Sequence, residues 1–255
     1  MSKKIIGIMG AMPEEINSIT ELLSEKQEVE LGGRKYYVGL LNNIKTIVVF
    51  SRWGKVAAAT TVTTLILKFE ITELIFTGVA GAINSELHIG DIVIGKKLFQ
   101  HDMDGRPLIK QFEIPLLGVS FFECRKENLS VAEKIINELF DKKHLEKVIS
   151  REELSHFGIR EPKLFIGDIA SGDKFFSNSN DKHALLNILP SVMCVEMEGA
   201  AVAQVCYEYE IPFTIIRTIS DAADEKAELD FTSFIKNVSS KYSLEIIKMF
   251  YQQFK

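Results

Sequence analysis

Residues 193–221 read MCVEMEGAAVAQVCYEYEIPFTIIRTISD. MCV is apolar and strand-like, the alanine-rich stretch that follows has helical character, and the change falls near Met197. PFTIIRTIS at 212–220 then reads as a second strand, ending on Asp221. A strand passing into a helix and back into a strand is the repeating unit of an α/β fold.

The same alternation extends through the rest of the chain. Residues 4–12 are nearly continuous apolar, as expected of a strand buried on both faces. Pro13 suits a first helical turn, and Ile16, Ile19, Leu22 and Leu23 follow at helical spacing. EVELGG, KYYVGLL and KTIVVFS read as antiparallel strands, with Asn42 and Asn43 as a turn. RWGKVAAATTVTTLILKFE predicts a helix, although its threonines weaken the pattern. Strands are expected at 73–79, 91–95 and 164–170, with GVAGA at 78–82 as a glycine-bearing bend. Helices are expected at 129–140, 181–189 and 231–254. Residues 101–128 read as a long surface loop with apolar patches. No composition shift marks a linker, so 1–255 is expected to be one domain.

The 255 residues are 46% hydrophobic and 25% charged, which suits a globular protein and argues against disorder. The formal net charge is −5 and no long basic run appears, so nucleic acid is not an expected partner. The apolar run 5–12 is too short to span a bilayer, and no membrane partner is expected. Cys124, Cys194 and Cys206 show no CxxC spacing. They fit reduced thiols in a cytosolic protein, with Cys194 and Cys206 as core fillers.

In open α/β sheets, ligands collect outside the carboxyl ends of strands. Glu14 and Glu15 follow the first strand, Glu196 and Glu198 lie near the end of MCV, and Asp221 ends IIRTIS with Arg217 four positions earlier. Acids and an arginine at neighbouring strand ends form a candidate reaction site. Each residue also has a simpler reading. Glu14 and Glu15 can complement a helix dipole, Asp221 can cap a turn, and Arg217 can be a structural ion-pair partner. GVAGA lacks the spacing of a standard phosphate loop. His101, Asp102 and Asp104 have no second histidine at helical spacing to make a metal site.

GIMGAMPEE, SRWGKVAAA, TGVAGAI, GDIVIG, SGDKFF, VEMEGAAVAQVC and RTISDAAD occur in that order. Together they resemble the 5′-methylthioadenosine/S-adenosylhomocysteine nucleosidases of the nucleoside phosphorylase superfamily. That resemblance implies a three-layer α/β/α sandwich with a central mixed sheet, a homodimer, and hydrolysis of an adenine–ribose bond with no cofactor and no metal. It implies Asp221 as the general acid toward adenine N7 and Glu15 as the base for the attacking water. Met197 and Glu198 would hold the ribose, and Arg217 would order the water and the acids. Phe175 would stack on adenine, and the Phe176 backbone would read its edge. Ser220 would contact the substrate beside Asp221. Met12 and Phe231 would line the ribose and the 5′-substituent.

These residue types suit that chemistry. Adenine is a poor anionic leaving group, and general acid catalysis contributes roughly 10²–10⁴-fold. The sugar develops positive charge, which carboxylates stabilise. The chain also departs from the family pattern. Arg52 and Trp53 replace a small or aliphatic pair, Val79 replaces a small hydroxyl residue, and HDMDGRPLIKQFEIPLL is unfamiliar. Phosphorylases of the superfamily carry cations in the N-terminal loop, where Glu14 and Glu15 stand here, so hydrolysis is preferred over phosphorolysis. Intact acids at 15, 198 and 221 argue against a nucleoside-binding module without turnover.

Overall fold

A computed structural model describes residues 4–223 and 231–254. Its centre is a ten-stranded mixed sheet. Strand β1 (Ile5–Gly10) lies between β4 (Ile44–Phe50) and β5 (Glu73–Ala82), parallel to both. That position explains its unbroken apolar run. Ile5 and Met9 join the core on one face of the sheet, and Ile6 and Ile8 join the core on the other.

Strands β2 (Ser24–Leu31), β3 (Arg34–Leu41) and β4 form an antiparallel meander, turning at Gly32–Gly33 and at Asn42–Asn43. Beyond β5 the sheet curls. Strand β10 (Phe213–Asp221) pairs with β5 and with β6 (Ile92–Gln100). Strand β6 pairs with the two-residue β7 (Phe122–Glu123) and with β8 (Leu164–Ser171), β8 with β9 (Val192–Glu196), and β9 with the end of β5. Strands β5, β10, β6, β8 and β9 thus close into a ring.

Helices cover both faces. α2 (Lys55–Phe69) and α7 (Gly199–Glu208) pack together on one side. α1 (Pro13–Thr20), α3 (Lys126–Leu139) and α9 (Ser240–Gln253) pack on the other, with the short α4 (Lys142–Val148) and α5 (Arg151–His156) at their margin. α6 (Ser179–Ile188) covers a smaller third core. The three-layer arrangement and mixed sheet expected from the sequence are present. Among the described residues, no helix is long and apolar enough to cross a membrane. Cys124, Cys194 and Cys206 are free and buried in one core cluster.

Three local expectations are corrected. GVAGA is not a bend, because β5 runs through it to Ala82 and pairs there with β9. The segment 231–254 is not one continuous α-helix. It comprises α8 (Phe231–Phe234), a π-helical turn (Ile235–Ser239) and α9. The helix expected at 129–140 begins earlier, at Lys126.

Candidate functional site

A cavity of about 400 Å³ opens where the carboxyl ends of β1, β5, β9 and β10 converge. Met12, Phe175, Phe176, Met197, Glu198, Ser220, Asp221 and Phe231 all line it, as do Trp53, Val79 and Glu196. Of the residues singled out from the sequence, Glu15 and Arg217 stand behind the wall, each fully buried.

Asp221 closes β10 and is 7% exposed. Its Oδ2 accepts from the Ser220 hydroxyl at 2.7 Å, and its Oδ1 accepts from the Ala223 N–H at 2.8 Å. The second bond is the local turn contact that its sequence position also suggested. A Cβ on Gly81 would stand 2.8 Å from Asp221 Oδ1. Glycine there lets β5 approach the carboxylate. The motif's last residue, Asp224, lies outside the described residues.

Glu196 and Glu198 are two positions apart and have different surroundings. Glu196 ends β9. Its carboxylate accepts from the backbone N–H groups of Glu198 (3.1 Å) and Gly199 (2.9 and 2.8 Å), and from the Ser171 hydroxyl. Arg217 donates to its Oε2 through Nε at 3.2 Å and Nη2 at 2.7 Å. The other guanidinium nitrogen serves the carbonyls of Phe76 and Ile216, and the group lies 4.1 Å over the Phe76 ring. Glu196 therefore neutralises Arg217 and satisfies the N-terminus of α7 together. Glu198 stands at the cap position of α7 without capping it. Its carboxyl instead reaches the cavity and accepts from the Gly54 N–H at 3.0 Å. Burial, reinforced by the charge of Glu196, pushes the Glu198 carboxyl up to about 8.

Glu15 lies in the first turn of α1. Its Oε2 accepts from the N–H groups of Ala11 (3.2 Å) and Met12 (3.1 Å), two residues that line the cavity, so it serves the helix entrance directly behind that wall. Its Oε1 accepts from the Ser239 hydroxyl at 2.6 Å. Complete burial raises the Glu15 carboxyl above its ordinary range, against the opposing pull of Ser239 and Arg217. Ser239 was not legible from the sequence. It ends the π-helical turn, whose i→i+5 pattern breaks the helical phase that periodicity would follow.

Phe175 and Phe231 meet edge to face at 6.4 Å, and Phe176 does the same with His101 at 5.3 Å. In HDMDG, Asp102 pairs with Lys55 at 2.6 Å and Asp104 with Arg106 at 2.5 Å. Among the described residues, no cluster of metal-ligating side chains occurs. The one cation on the cavity wall, among the described residues, is Lys174, which pairs with Asp181 at 2.7 Å.

The sequence profile of the phosphorylase superfamily matches residues 5–250. The chain belongs to the phosphorylase superfamily. Within it, the chain is 36% identical over 248 residues to an aminodeoxyfutalosine nucleosidase of Helicobacter pylori, covering 95% of this chain and 96% of that one. It is 31% identical over 246 residues to a 5′-methylthioadenosine/S-adenosylhomocysteine nucleosidase of Staphylococcus aureus, covering 95% and 98%. A solved S-adenosylhomocysteine nucleosidase from Streptococcus pyogenes, in complex with 5-methylthiotubericidin, superposes with a TM-score of 0.85 at 28% identity over 100% of this chain and 99% of that one. Futalosine hydrolase of Helicobacter pylori strain 26695 superposes at 0.82 with 33% identity, over 98% of each chain. These phosphorylase-superfamily relatives are named as nucleosidases and as a hydrolase.

Proposed function

We propose that this chain hydrolyses the N-glycosidic bond of a 5′-substituted adenine nucleoside and releases adenine. The observation that carries the reading is the gathering of carboxyls at one cavity. Asp221 and Glu198 line it and Glu15 lies behind it, and Ser220 and Gly54 hold the first two in place. Carboxyls so placed can donate and accept protons and can stabilise a sugar that becomes cationic, which suits a neutral water nucleophile. The nucleosidase names of the relatives support the same choice.

In this reading Asp221 protonates the purine as the bond breaks, with Ser220 fixing the carboxyl. Glu198 binds the sugar, and its ionised form becomes favoured as positive charge develops beside it. Glu15 takes the proton from water. Arg217 acts through Glu196 rather than by touching substrate. Phe175 stacks on adenine, Phe176 reads its edge, and Met12, Met197 and Phe231 surround the ribose and its substituent. The chemistry calls for no metal or organic cofactor. A homodimer working in the cytoplasm, in methionine salvage or in a pathway using aminodeoxyfutalosine, belongs to the same reading.

The deciding experiment is adenine release from 5′-methylthioadenosine, S-adenosylhomocysteine, aminodeoxyfutalosine and 5′-deoxyadenosine, each with and without phosphate. Release independent of phosphate is expected. A strict phosphate requirement would instead make the chain a phosphorylase, and no release from any of them would favour a binding module.

A further inference from the structure

Two consecutive backbone N–H groups open α2, and each holds a carboxylate from a different part of the site. Gly54 donates to Glu198 Oε1 at 3.0 Å, and Lys55 donates to Asp173 Oδ1 at 2.7 Å. Gly54 has a φ of 90°, and a Cβ on it would stand 3.0 Å from that same Asp173 oxygen. The cap residue of α2 has no side chain to offer, so these distant acids satisfy the helix entrance.

Asp102, the acid of HDMDG that the proposed chemistry leaves unused, completes a closed circuit. Its Oδ1 accepts from Lys55 Nζ at 2.6 Å, and its Oδ2 accepts from the Asp173 N–H at 3.0 Å. Lys55 and Asp173 each give a bond to Asp102, and the bond from the Lys55 N–H joins them directly. The three residues come from the start of α2, the chain leaving β6 and the chain leaving β8. On one side of this circuit stands Glu198, assigned to the sugar. On the other, Phe175 and Phe176 follow Asp173 closely in sequence and are assigned to the purine. The purine segment has separate supports. The His101 ring lies over Gly172 and meets Phe176 edge to face, and Lys174 pairs with Asp181. What the circuit adds is the placement of that segment relative to Gly54.

Resting on the nucleosidase reading above, we propose that Asp102 is a positioning residue for the reaction: by bridging Lys55 and Asp173, it holds the purine-reading segment in register with the sugar-holding contact between Gly54 and Glu198. The bond to be cleaved lies between purine and sugar, so a shift of one side against the other carries it away from Asp221 and Glu15. A misplacement of about 1 Å can cost about 10²-fold in rate. Adenine alone engages one side and is indifferent to the register.

The test measures kcat and KM for adenine release from 5′-methylthioadenosine, together with the inhibition constant of adenine. Normalising kcat to the fraction of protein that binds adenine removes any loss of folded protein. Asp102→Ala should lower the normalised kcat about 10²-fold and leave the adenine constant at its wild-type value. Asp102→Asn keeps one acceptor oxygen and should lose about tenfold, as expected when one hydrogen bond of two is retained. Lys55→Met removes the ammonium but keeps the N–H that holds Asp173. Combined with Asp102→Ala, it should be no slower than Asp102→Ala alone, since both act through one circuit. Lys55 and Asp102 are partly exposed, so water can solvate whichever partner remains. An unchanged normalised kcat, an adenine constant that weakens in step with kcat, or losses that add in the double variant would overturn the assignment. No release by a wild-type protein that still binds adenine would overturn the nucleosidase reading beneath it.

Discussion

The Ser239 hydroxyl donates to Glu15 Oε1 at 2.6 Å, joining the closing helical segment to the first helix across 224 positions of chain. Both side chains are fully buried, so no water can replace the bond without rearrangement. Ser239→Ala should leave one Glu15 oxygen unpaired and raise that carboxyl further. Because the base works ionised, activity rises as pH climbs through its pKa, and the acid limb of kcat/KM should move up by about one unit. An acid limb that stays in place while stability falls would reduce Ser239 to a packing role.

Asp221 should be indispensable to turnover. Asp221→Asn is expected to bind nucleoside while losing adenine release by roughly 10²–10⁴-fold, the usual contribution of a general acid. Gly81→Ala probes the same carboxyl without altering its chemistry, since the added methyl would stand 2.8 Å from Oδ1. A displacement of that kind should cost kcat about 10²-fold. Single-turnover rates alongside equilibrium binding separate the two effects, and near-normal rates in both variants would remove Asp221 from the chemistry.

Glu198 sets activity against stability. Its carboxyl is held at about 8 in the folded protein against an ordinary 4.5. The folded state retains that proton while the unfolded chain loses it. The associated stabilisation is therefore complete below about pH 4.5 and is lost as pH rises toward 8. Glu198→Gln cannot ionise and should gain a few kcal/mol over wild type above pH 8, with little difference at pH 4 and strongly reduced turnover. Urea unfolding at pH 4, 7 and 9 reads this directly. A constant difference across that range would contradict it.

Arg217 and Glu196 form a fully buried pair at 2.7 Å. Arg217→Met would strand the Glu196 charge and should destabilise by about 3–5 kcal/mol. Adding Glu196→Gln should recover part of that loss, because an amide keeps acceptor capacity without the charge. A double-mutant cycle in denaturant measures the coupling, and additive losses would deny it.

The α/β alternation was legible in the apolar runs, the three layers came with the family resemblance, and the cavity's main acids were legible because they follow strand ends, where those runs stop abruptly. Glu15, Glu198 and Asp221 each lie just beyond or at the end of such a run. The difference between Glu196 and Glu198 was hidden, since the strand stops between them and alternation no longer says which way a side chain turns. α4 and α5 escaped notice for another reason. Each has one buried residue, Leu145 or Leu154, too little to establish a helical period. GVAGA misled because glycines usually signal a bend, and here Gly81 makes room inside a strand.

The ring formed by β5, β10, β6, β8 and β9 leaves β2 as the long strand with an unpaired side, among the described residues. Its sequence, SEKQEVEL, is largely exposed and dominated by charge, and its pairing with β3 is irregular between Ser24 and Gln27. Closure thus confines the hazard of intermolecular strand addition to one border, and that border is guarded by like-charged glutamates and a kink. A border so charged disfavours the edge-to-edge approach of neighbouring molecules in a crowded solution.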